Sequence, residues 1–169
     1  EPMGGYDPYS SSKGAAEIAI ASWRRSFFNP SDYGMKHHVA LASVRAGNVI
    51  GGGDWALDRI IPDCIKALEA GKGIDIRSTK GIRHWQNVLE PLSGYMLLAT
   101  KMWEEPTKYC EGWNFGPRAE SITPVWDVAT DVIKNYGSGK LNDISNSNVL
   151  HEAKLLMLDI SKAKFQLGW

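Results

Sequence analysis

The chain has 169 residues, of which 43% are hydrophobic and 22% are charged, as in ordinary globular proteins. Its 19 basic residues balance 19 acidic ones, so it lacks the broad basic field with which proteins bind nucleic acid or membrane surfaces. This balance leaves room for a small anion-binding pocket. No apolar run approaches the ~20 residues of a membrane span, and we expect no signal peptide.

The first predicted element is a helix that begins at the dipeptide Asp7-Pro8. Aspartate caps the first turn of a helix, and proline suits that turn because its missing N–H needs no partner there. Apolar residues then recur with a helical period as far as about Phe28. Residues 38–45, HVALASVR, predict a strand that is buried on both faces.

A glycine-rich loop, AGNVIGGGDW, follows this strand, and residues 57–70 predict an amphipathic helix. The segments GIDIRS and IRHWQNV predict short strands, residues 89–104 a helix, and GWNFGP a short strand that ends in a turn. The segment TPVWDVATDVIKNYG predicts a helix that stops at Gly137, and residues 138–148 a polar loop. AKLLMLDI is strand-like, and a last short helix ends at Gly168. Because strands alternate with helices, the sequence predicts an α/β fold.

Cys64 and Cys110 are the only cysteines, and both lie in apolar contexts without paired spacing. This usage predicts buried thiols in a reducing cytoplasm rather than a disulfide. The histidines show no metal-ligand spacing, so we expect no metal site. Arg45, at the end of an apolar strand, is predicted to be a structural ion-pair residue.

Tyr9 and Lys13 are one helical turn apart, so their side chains share a face of the first helix. A lysine ammonium beside a phenol favours the phenolate and lowers the pKa of the phenol from about 10. A phenolate at neutral pH is a useful general base. The spacing alone is weak evidence for a catalytic pair, since Tyr136 and Lys140 have the same spacing across a helix end and a glycine-rich loop. The alternative is a pair of ordinary surface residues.

Three other residues suit the recognition of a diphosphate. Arg59 follows the glycine-rich loop at a helix start, and Arg83 lies on a short strand next to Trp85. The planar guanidinium group holds phosphate oxygens bidentately. Asn48 precedes three glycines that would let the backbone approach a ligand closely. The alternatives are a solvated charge at a helix start for Arg59 and a strand-edge charge for Arg83.

The segment DPYSSSKGAAE resembles the Tyr-x-x-x-Lys segment of the extended short-chain dehydrogenase/reductase superfamily. Later segments resemble that superfamily in the same order, so nearly the whole chain is covered: VRAGNVIGGGDW, DRIIPDCIKAL, IRHWQNVLEPLSGYMLLA, WNFGP and LDISKAKFQLGW. Within the superfamily the sequence resembles the CDP-glucose 4,6-dehydratases most, above all in the segments GNVIGGGDWALDRIIPD and WQNVLEPLSGY. One departure is that His84 and Asn87 stand where the family usually has Pro and His.

The resemblance implies the C-terminal part of a Rossmann-like NAD-binding fold, here residues 1–50, plus a small α/β substrate-binding lobe over residues 51–169. Some segments of the lobe would return to the sheet. It implies that Tyr9 and Lys13 are the catalytic couple and that, with Ala46, they contact NAD. The residues implied to bind a nucleotide sugar are Asn48, Arg59, Arg83, Asn114 and His151. A turn-forming Asn114 and a plain loop histidine at position 151 are the alternatives for the last two.

The reaction that the resemblance implies is NAD-dependent dehydration of CDP-glucose to CDP-4-keto-6-deoxyglucose, in deoxysugar and lipopolysaccharide biosynthesis. Tyr9 would take the proton of the sugar 4-hydroxyl while hydride passes from C4 to NAD; water then leaves from C6, and the hydride returns there. The superfamily further implies a cytoplasmic homodimer. The alternatives are another NAD-dependent sugar-nucleotide epimerase or dehydratase, and a non-catalytic nucleotide-sugar binding module.

The chain has no Gly-x-Gly-x-x-Gly fingerprint, which should lie in the first strand–helix turn of a dinucleotide-binding domain. The first residue is Glu1 and the last is Trp169, directly after a predicted helix. We therefore expect the chain to be part of a longer enzyme. By itself it should bind NAD poorly and turn over no substrate.

Overall fold

The computed structural model describes residues 4, 7–79, 81–145 and 155–169. Along these residues α-helices alternate with short strands, so the predicted α/β class is confirmed. The helices are α1 (Pro8–Ser26), α2 (Ile60–Glu69), α3 (Leu89–Glu104) and α4 (Val125–Tyr136). The strands are β1 (Ser43–Ala46), β2 (Asn48–Ile50), β3 (Ile74–Ile76), β4 (Ile82–Asn87), β5 (Gly112–Phe115), β6 (Ile122–Pro124), β7 (Leu141–Asp143) and β8 (Leu155–Leu156).

The helix ends follow from local capping chemistry. Asp7 is the N-cap of α1, and its Oδ1 accepts a hydrogen bond of 2.9 Å from the Ser10 N–H. Pro8 occupies the first helical position, as predicted. Helix α4 ends at Gly137, whose φ of 94° lies in the left-handed region that favours glycine. These two predicted boundaries are therefore confirmed.

The chain divides into two compact units. The first unit comprises Glu1–Arg45, Leu92–Phe115 and Asp159–Trp169, and the second comprises Ala46–Pro91 and Gly116–Leu158. The predicted assignment of residues 1–50 to a dinucleotide-binding domain and of residues 51–169 to a substrate lobe stays a prediction.

In the first unit β1 pairs with β5, and α3 contributes Leu98 to the core beside them. Strand β5 places Trp113 and Phe115 on the buried side, because alternate residues of a strand point to the same face. The last segment of the chain completes this core with Ala163 and Leu167.

In the second unit β4 lies between β2 and β6 and also pairs with β8. The β2–β4 pairing is parallel and the β4–β6 pairing is antiparallel. Strands β3 and β7 form a separate parallel pair. The core of this unit is built by the apolar sides of α2, α4 and β3 and contains Cys64, Leu68, Ile74, Ile76 and Ala129.

One strand prediction and one loop prediction are wrong. The strand predicted over residues 38–45 begins only at Ser43, and Val44 is 40% exposed, so it is not buried on both faces. The carbonyl of Leu41 instead accepts a hydrogen bond from Arg24 Nε of α1, at 2.9 Å. The predicted polar loop 138–148 contains β7, where the Asn142 side chain donates to the Asp75 carboxylate of β3 at 2.8 Å.

Cys64 and Cys110 are both buried and free, as predicted. Burial, together with the neighbouring Asp63 carboxylate, raises the pKa of the Cys64 thiol to about 11. Among the described residues, no helix has the length and apolar character that crossing a membrane would require.

Candidate functional site

Tyr9 and Lys13 lie in the first turns of α1, and their predicted shared face is confirmed. The Lys13 ammonium nitrogen is 5.5 Å from the centroid of the Tyr9 ring, within the range of a cation–π contact. The Tyr9 side chain is 71% exposed, and Lys13 is exposed as well. Both groups are therefore accessible to a ligand.

The cap of α1 fixes the backbone that carries this pair. The two Asp7 carboxylate oxygens accept hydrogen bonds from the Ser10 N–H at 2.9 Å and from the Ser10 hydroxyl at 2.7 Å. These bonds favour the charged carboxylate and hold the pKa of Asp7 below its ordinary value. The Ser12 hydroxyl donates to the Tyr9 carbonyl at 2.7 Å. The first turn therefore has a defined conformation.

A polar cluster that sequence reasoning missed begins one turn after Lys13. The Ser43 hydroxyl on β1 donates to Glu17 Oε2 at 2.9 Å. Arg45 Nε lies 3.9 Å from Glu17 Oε1, so the predicted structural ion pair of Arg45 is confirmed. A signal was present in the sequence, since Glu17 continues the four-residue spacing of Tyr9 and Lys13 on one helix face.

Strand pairing brings Asn48 and Arg83 together in the second unit. Asn48 on β2 is in register with Trp85 on β4, so the two side chains point to the same sheet face. Arg83 is two residues before Trp85 and shares that face. The Arg83 guanidinium also donates from Nη1 to the Ile82 carbonyl at 2.9 Å, which restricts its orientation. Ala46, the residue implied to contact NAD, is half-buried at the end of β1.

Arg59 is the N-cap residue of α2, and its side chain is 65% exposed. Its Nε is 4.0 Å from Asp54 Oδ2, in an ion pair between two exposed groups. Exposed pairs of this kind contribute little free energy. The guanidinium could therefore exchange Asp54 for a bound anion at small cost.

The glycine-rich loop before α2 has two different structural requirements. A Cβ on Gly51 would lie 2.9 Å from Cγ1 of Val88, so this glycine allows close packing within the unit. Gly53 has a φ of +81°, which favours glycine. Gly52 has no neighbouring atom within 4 Å of the position a Cβ would take. The same holds for Gly53, so a ligand would have room beside the backbone at both positions.

An open groove of about 620 Å³ lies between α2, α4 and the central sheet of the second unit. Its lining is mostly apolar and includes Ile61, Ile65, Trp85, Thr123, Val128 and Tyr136. Asn48, Arg59 and Arg83 are not among its lining residues. Trp85 is thus the link between the groove and the sheet face that carries Arg83.

The two remaining predicted residues have different outcomes. The Asn114 side chain donates from Nδ2 to the Asp159 carbonyl at 3.0 Å, so one of its two amide N–H groups is used within the first unit. Substrate binding by Asn114 stays a prediction. His151 lies outside the described residues. Across the described ranges, no group of three or more His, Cys, Asp and Glu side chains could hold a metal ion.

No protein-family model matches the chain. The chain is 52% identical over 169 residues to the CDP-glucose 4,6-dehydratase of Salmonella typhimurium, a match that covers 100% of this chain and 47% of that protein. The chain therefore spans about half the length of the curated relative that it matches.

Solved structures show the same fold. The dTDP-glucose 4,6-dehydratase of Bacillus anthracis, in complex with NAD, is 18% identical with a TM-score of 0.77, and the match covers 99% of this chain and 48% of that one. The UDP-glucuronic acid 4-epimerase of Bacillus cereus, in complex with UDP-glucuronic acid and NAD, is 21% identical with a TM-score of 0.74 and the same coverage, 99% and 48%. The predicted resemblance to the extended short-chain dehydrogenase/reductase superfamily is thus confirmed. So is the predicted match to the C-terminal part of such a Rossmann-type structure.

Proposed function

We propose that this chain is the C-terminal part of an NAD-dependent sugar-nucleotide 4,6-dehydratase, a hydro-lyase that acts on CDP-glucose. The observation that carries the proposal is the 52% identity to a CDP-glucose 4,6-dehydratase over all 169 residues. The geometry of the Tyr9/Lys13 pair supports it, because an exposed phenol with an ammonium over its ring suits proton transfer with a bound ligand.

NAD would supply the hydride acceptor for C4 of the sugar and the hydride donor for C6. The residues of this chain that would contact it are Tyr9, Lys13 and Ala46. Tyr9 would hold its oxygen at the 4-hydroxyl of the sugar and accept that proton. Lys13 would stabilise the phenolate through its positive charge and donate to the nicotinamide ribose. The protein thus supplies position and charge for chemistry that the cofactor carries.

Asn48, Arg59 and Arg83 would hold the diphosphate and sugar of the substrate. The shared sheet face of Asn48 and Arg83 supports this role, since two donors on neighbouring strands can reach one ligand. Arg59 would add a second guanidinium from the start of α2. The roles of Asn114 and His151 rest on the resemblance alone.

A cytoplasmic homodimer is part of the proposal. The two free thiols support a reducing compartment. The exposed apolar side chains of Ile18 and Trp23 on α1, and of Phe27 directly after it, support a helix-mediated contact between subunits, next to the small residues Ala15 and Ala19.

The test is a fusion that supplies, ahead of this chain, the part of the Salmonella relative that the chain does not match. With NAD and CDP-glucose we expect a 4-keto-6-deoxy product, and Tyr9→Phe should lower kcat by about 10²–10⁴-fold, the range of a general base. The chain alone should be inactive. A folded fusion that binds NAD but dehydrates no sugar nucleotide would refute the proposal.

A 4-epimerase is the second candidate, because a UDP-glucuronic acid 4-epimerase has the same fold at a TM-score of 0.74. The products separate the two reactions. Dehydration yields a keto sugar without its 6-hydroxyl, whereas epimerisation leaves the oxygen count unchanged. Tight sugar-nucleotide binding by the fusion without any product would instead favour a binding module.

A further inference from the structure

The catalytic helix α1 is tied to the segment before and within β1 by two polar side chains. Glu17 accepts a hydrogen bond from the Ser43 hydroxyl at 2.9 Å, and Arg24 Nε donates to the Leu41 carbonyl at 2.9 Å. Glu17 is four residues after Lys13, about 6 Å along the helix axis, whereas Arg24 is about 16 Å from Lys13. The first of these links is therefore the one nearest the Tyr9/Lys13 pair.

Tyr9, Lys13 and Glu17 form a stripe with a four-residue repeat, so they lie above one another on one face of α1. Tyr9 and Lys13 are exposed, whereas the Glu17 side chain is only 16% exposed. The exposed end of the stripe carries the predicted chemistry, and the shielded end carries the contact to β1. A change in the rotation of α1 at Glu17 would therefore change the direction of both reactive groups.

The partners of Glu17 are themselves held in place. Ser43 is buried at 6% exposure, and its N–H donates to the Glu111 carbonyl at 3.1 Å. Arg45 lies against β5, where a Cβ on Gly112 would come within 2.4 Å of the Arg45 Nη2 atom. The absence of a side chain at Gly112 thus leaves room for the guanidinium that faces Glu17. Both partners of Glu17 are thus themselves in contact with β5 or the residue directly before it.

We propose that Glu17 is a positioning residue for the Tyr9/Lys13 pair, which sets the rotation of α1 through its contacts with Ser43 and Arg45. This inference rests on the proposed role of that pair. The Arg45 guanidinium forms an ion pair with the Glu17 carboxylate. The Lys13 ammonium is therefore not needed to neutralise Glu17 and can stabilise the phenolate of Tyr9. Glu17 itself has no contact with a reacting atom in this arrangement.

The first test uses the 169-residue chain and needs no turnover. The chain is labelled with ¹³Cζ-tyrosine, and the Tyr9 signal is identified by its loss in Tyr9→Phe. We expect Glu17→Ala to move the Tyr9 signal by more than its linewidth. Glu17→Gln keeps an acceptor for the Ser43 hydroxyl and should leave the signal in place. Arg24→Met removes the distant link and serves as the matched control, with no shift of the Tyr9 signal.

The second test uses the active fusion with NAD and CDP-glucose. Glu17→Ala should lower kcat by about 10–100-fold with KM changed less than about threefold, because displacement of a reacting group lowers the rate more than the binding. Glu17→Gln should restore kcat to within about threefold of the parent. Arg24→Met should leave kcat within about twofold, even where its melting temperature falls as far as that of Glu17→Ala.

Equal losses of kcat in Glu17→Ala and Arg24→Met would overturn the inference, because they would reflect general destabilisation of α1. An unmoved Tyr9 signal in Glu17→Ala would overturn it as well. If instead Tyr9→Phe retains full activity in the fusion, the proposed function fails. The tyrosine spectra of the isolated chain still decide the positioning role in that case.

Discussion

The ring of Phe115 occupies the space that a side chain at position 94 would need. A Cβ on Gly94 would lie 2.2 Å from Cδ1 of Phe115, well inside van der Waals contact. Phe115 on β5 is 0% exposed and packs edge-to-face against Tyr95 and Trp169, with ring centroids 5.4 Å and 5.1 Å away. The packing of α3 on β5 therefore depends on a glycine in the middle of the helix.

We predict that Gly94→Ala destabilises the chain by about 1–3 kcal/mol, the usual cost of overpacking a core. The intrinsic preference of helices for alanine over glycine, about 1 kcal/mol, would offset part of the clash. Urea unfolding followed by circular dichroism measures the difference. Gly52→Ala is the matched control, since the position is open and should change stability by less than about 0.5 kcal/mol. Equal stability of Gly94→Ala and the parent would contradict the observed contact.

The Asp7 cap predicts an acid dependence of stability. The hydrogen bonds from Ser10 lower the pKa of Asp7 in the folded chain. The charged carboxylate is therefore more favourable in the folded chain than in the unfolded chain. The stabilisation is present above the unfolded-state pKa, about 4, and is lost as the pH falls through the lower folded-state pKa. Asp7→Asn keeps an acceptor without this titration. As the pH falls from 5 to below the folded-state pKa, the melting temperature of Asp7→Asn should decrease less than that of the parent. If the difference in melting temperature between parent and variant does not change with pH, the Asp7 carboxylate does not cause the acid dependence.

The sequence predicts those parts of the fold that depend on neighbours along the chain. Helix α3 has the predicted bounds, and α1 and α4 have the predicted caps, because Asp7, Pro8 and Gly137 act on their own turns. Strand β7 has three residues in a polar run, and only its pairing with β3 identifies it. The four-residue spacing predicted the shared face of Tyr9 and Lys13. The Glu17–Ser43 contact joins residues 26 positions apart. The four-residue spacing on α1 therefore could not predict that Ser43 is the partner of Glu17.

Cys64 predicts a loss of stability in alkaline solution. Burial raises the pKa of its thiol to about 11 in the folded chain, against 9.0 for an ordinary thiol. Between these two values the unfolded chain releases a proton that the folded chain retains, so the free energy of unfolding should decrease as the pH rises. Cys64→Ala removes this contribution, and urea unfolding at pH 8 and pH 10.5 measures it. A parent and a variant with the same pH dependence would contradict the burial of the ionisable thiol.

The shared sheet face of Asn48 and Arg83 predicts that Arg83 contributes to the binding of the substrate diphosphate. In the fusion, Arg83→Ala should raise the KM for CDP-glucose by about 10–100-fold, since a charge-assisted hydrogen bond contributes about 1.5–3 kcal/mol. Arg83→Lys keeps the charge but loses the planar fork, so it should restore only part of the affinity. Arg59→Ala should have a smaller effect, because that guanidinium is 65% exposed.

Arg25→Ala is the matched control for Arg83, because Arg25 is an exposed arginine of α1 whose Nε donates to the Ala21 carbonyl of the same helix. Its KM should equal that of the parent. Isothermal titration with CDP separates binding from turnover, and the affinity for CDP should fall in Arg83→Ala as the KM rises. If Arg83→Ala binds CDP as tightly as the parent does, the diphosphate is held elsewhere. The exposed guanidinium of Arg59 would then be the next residue to test, because the helix start that carries it already favours an anion.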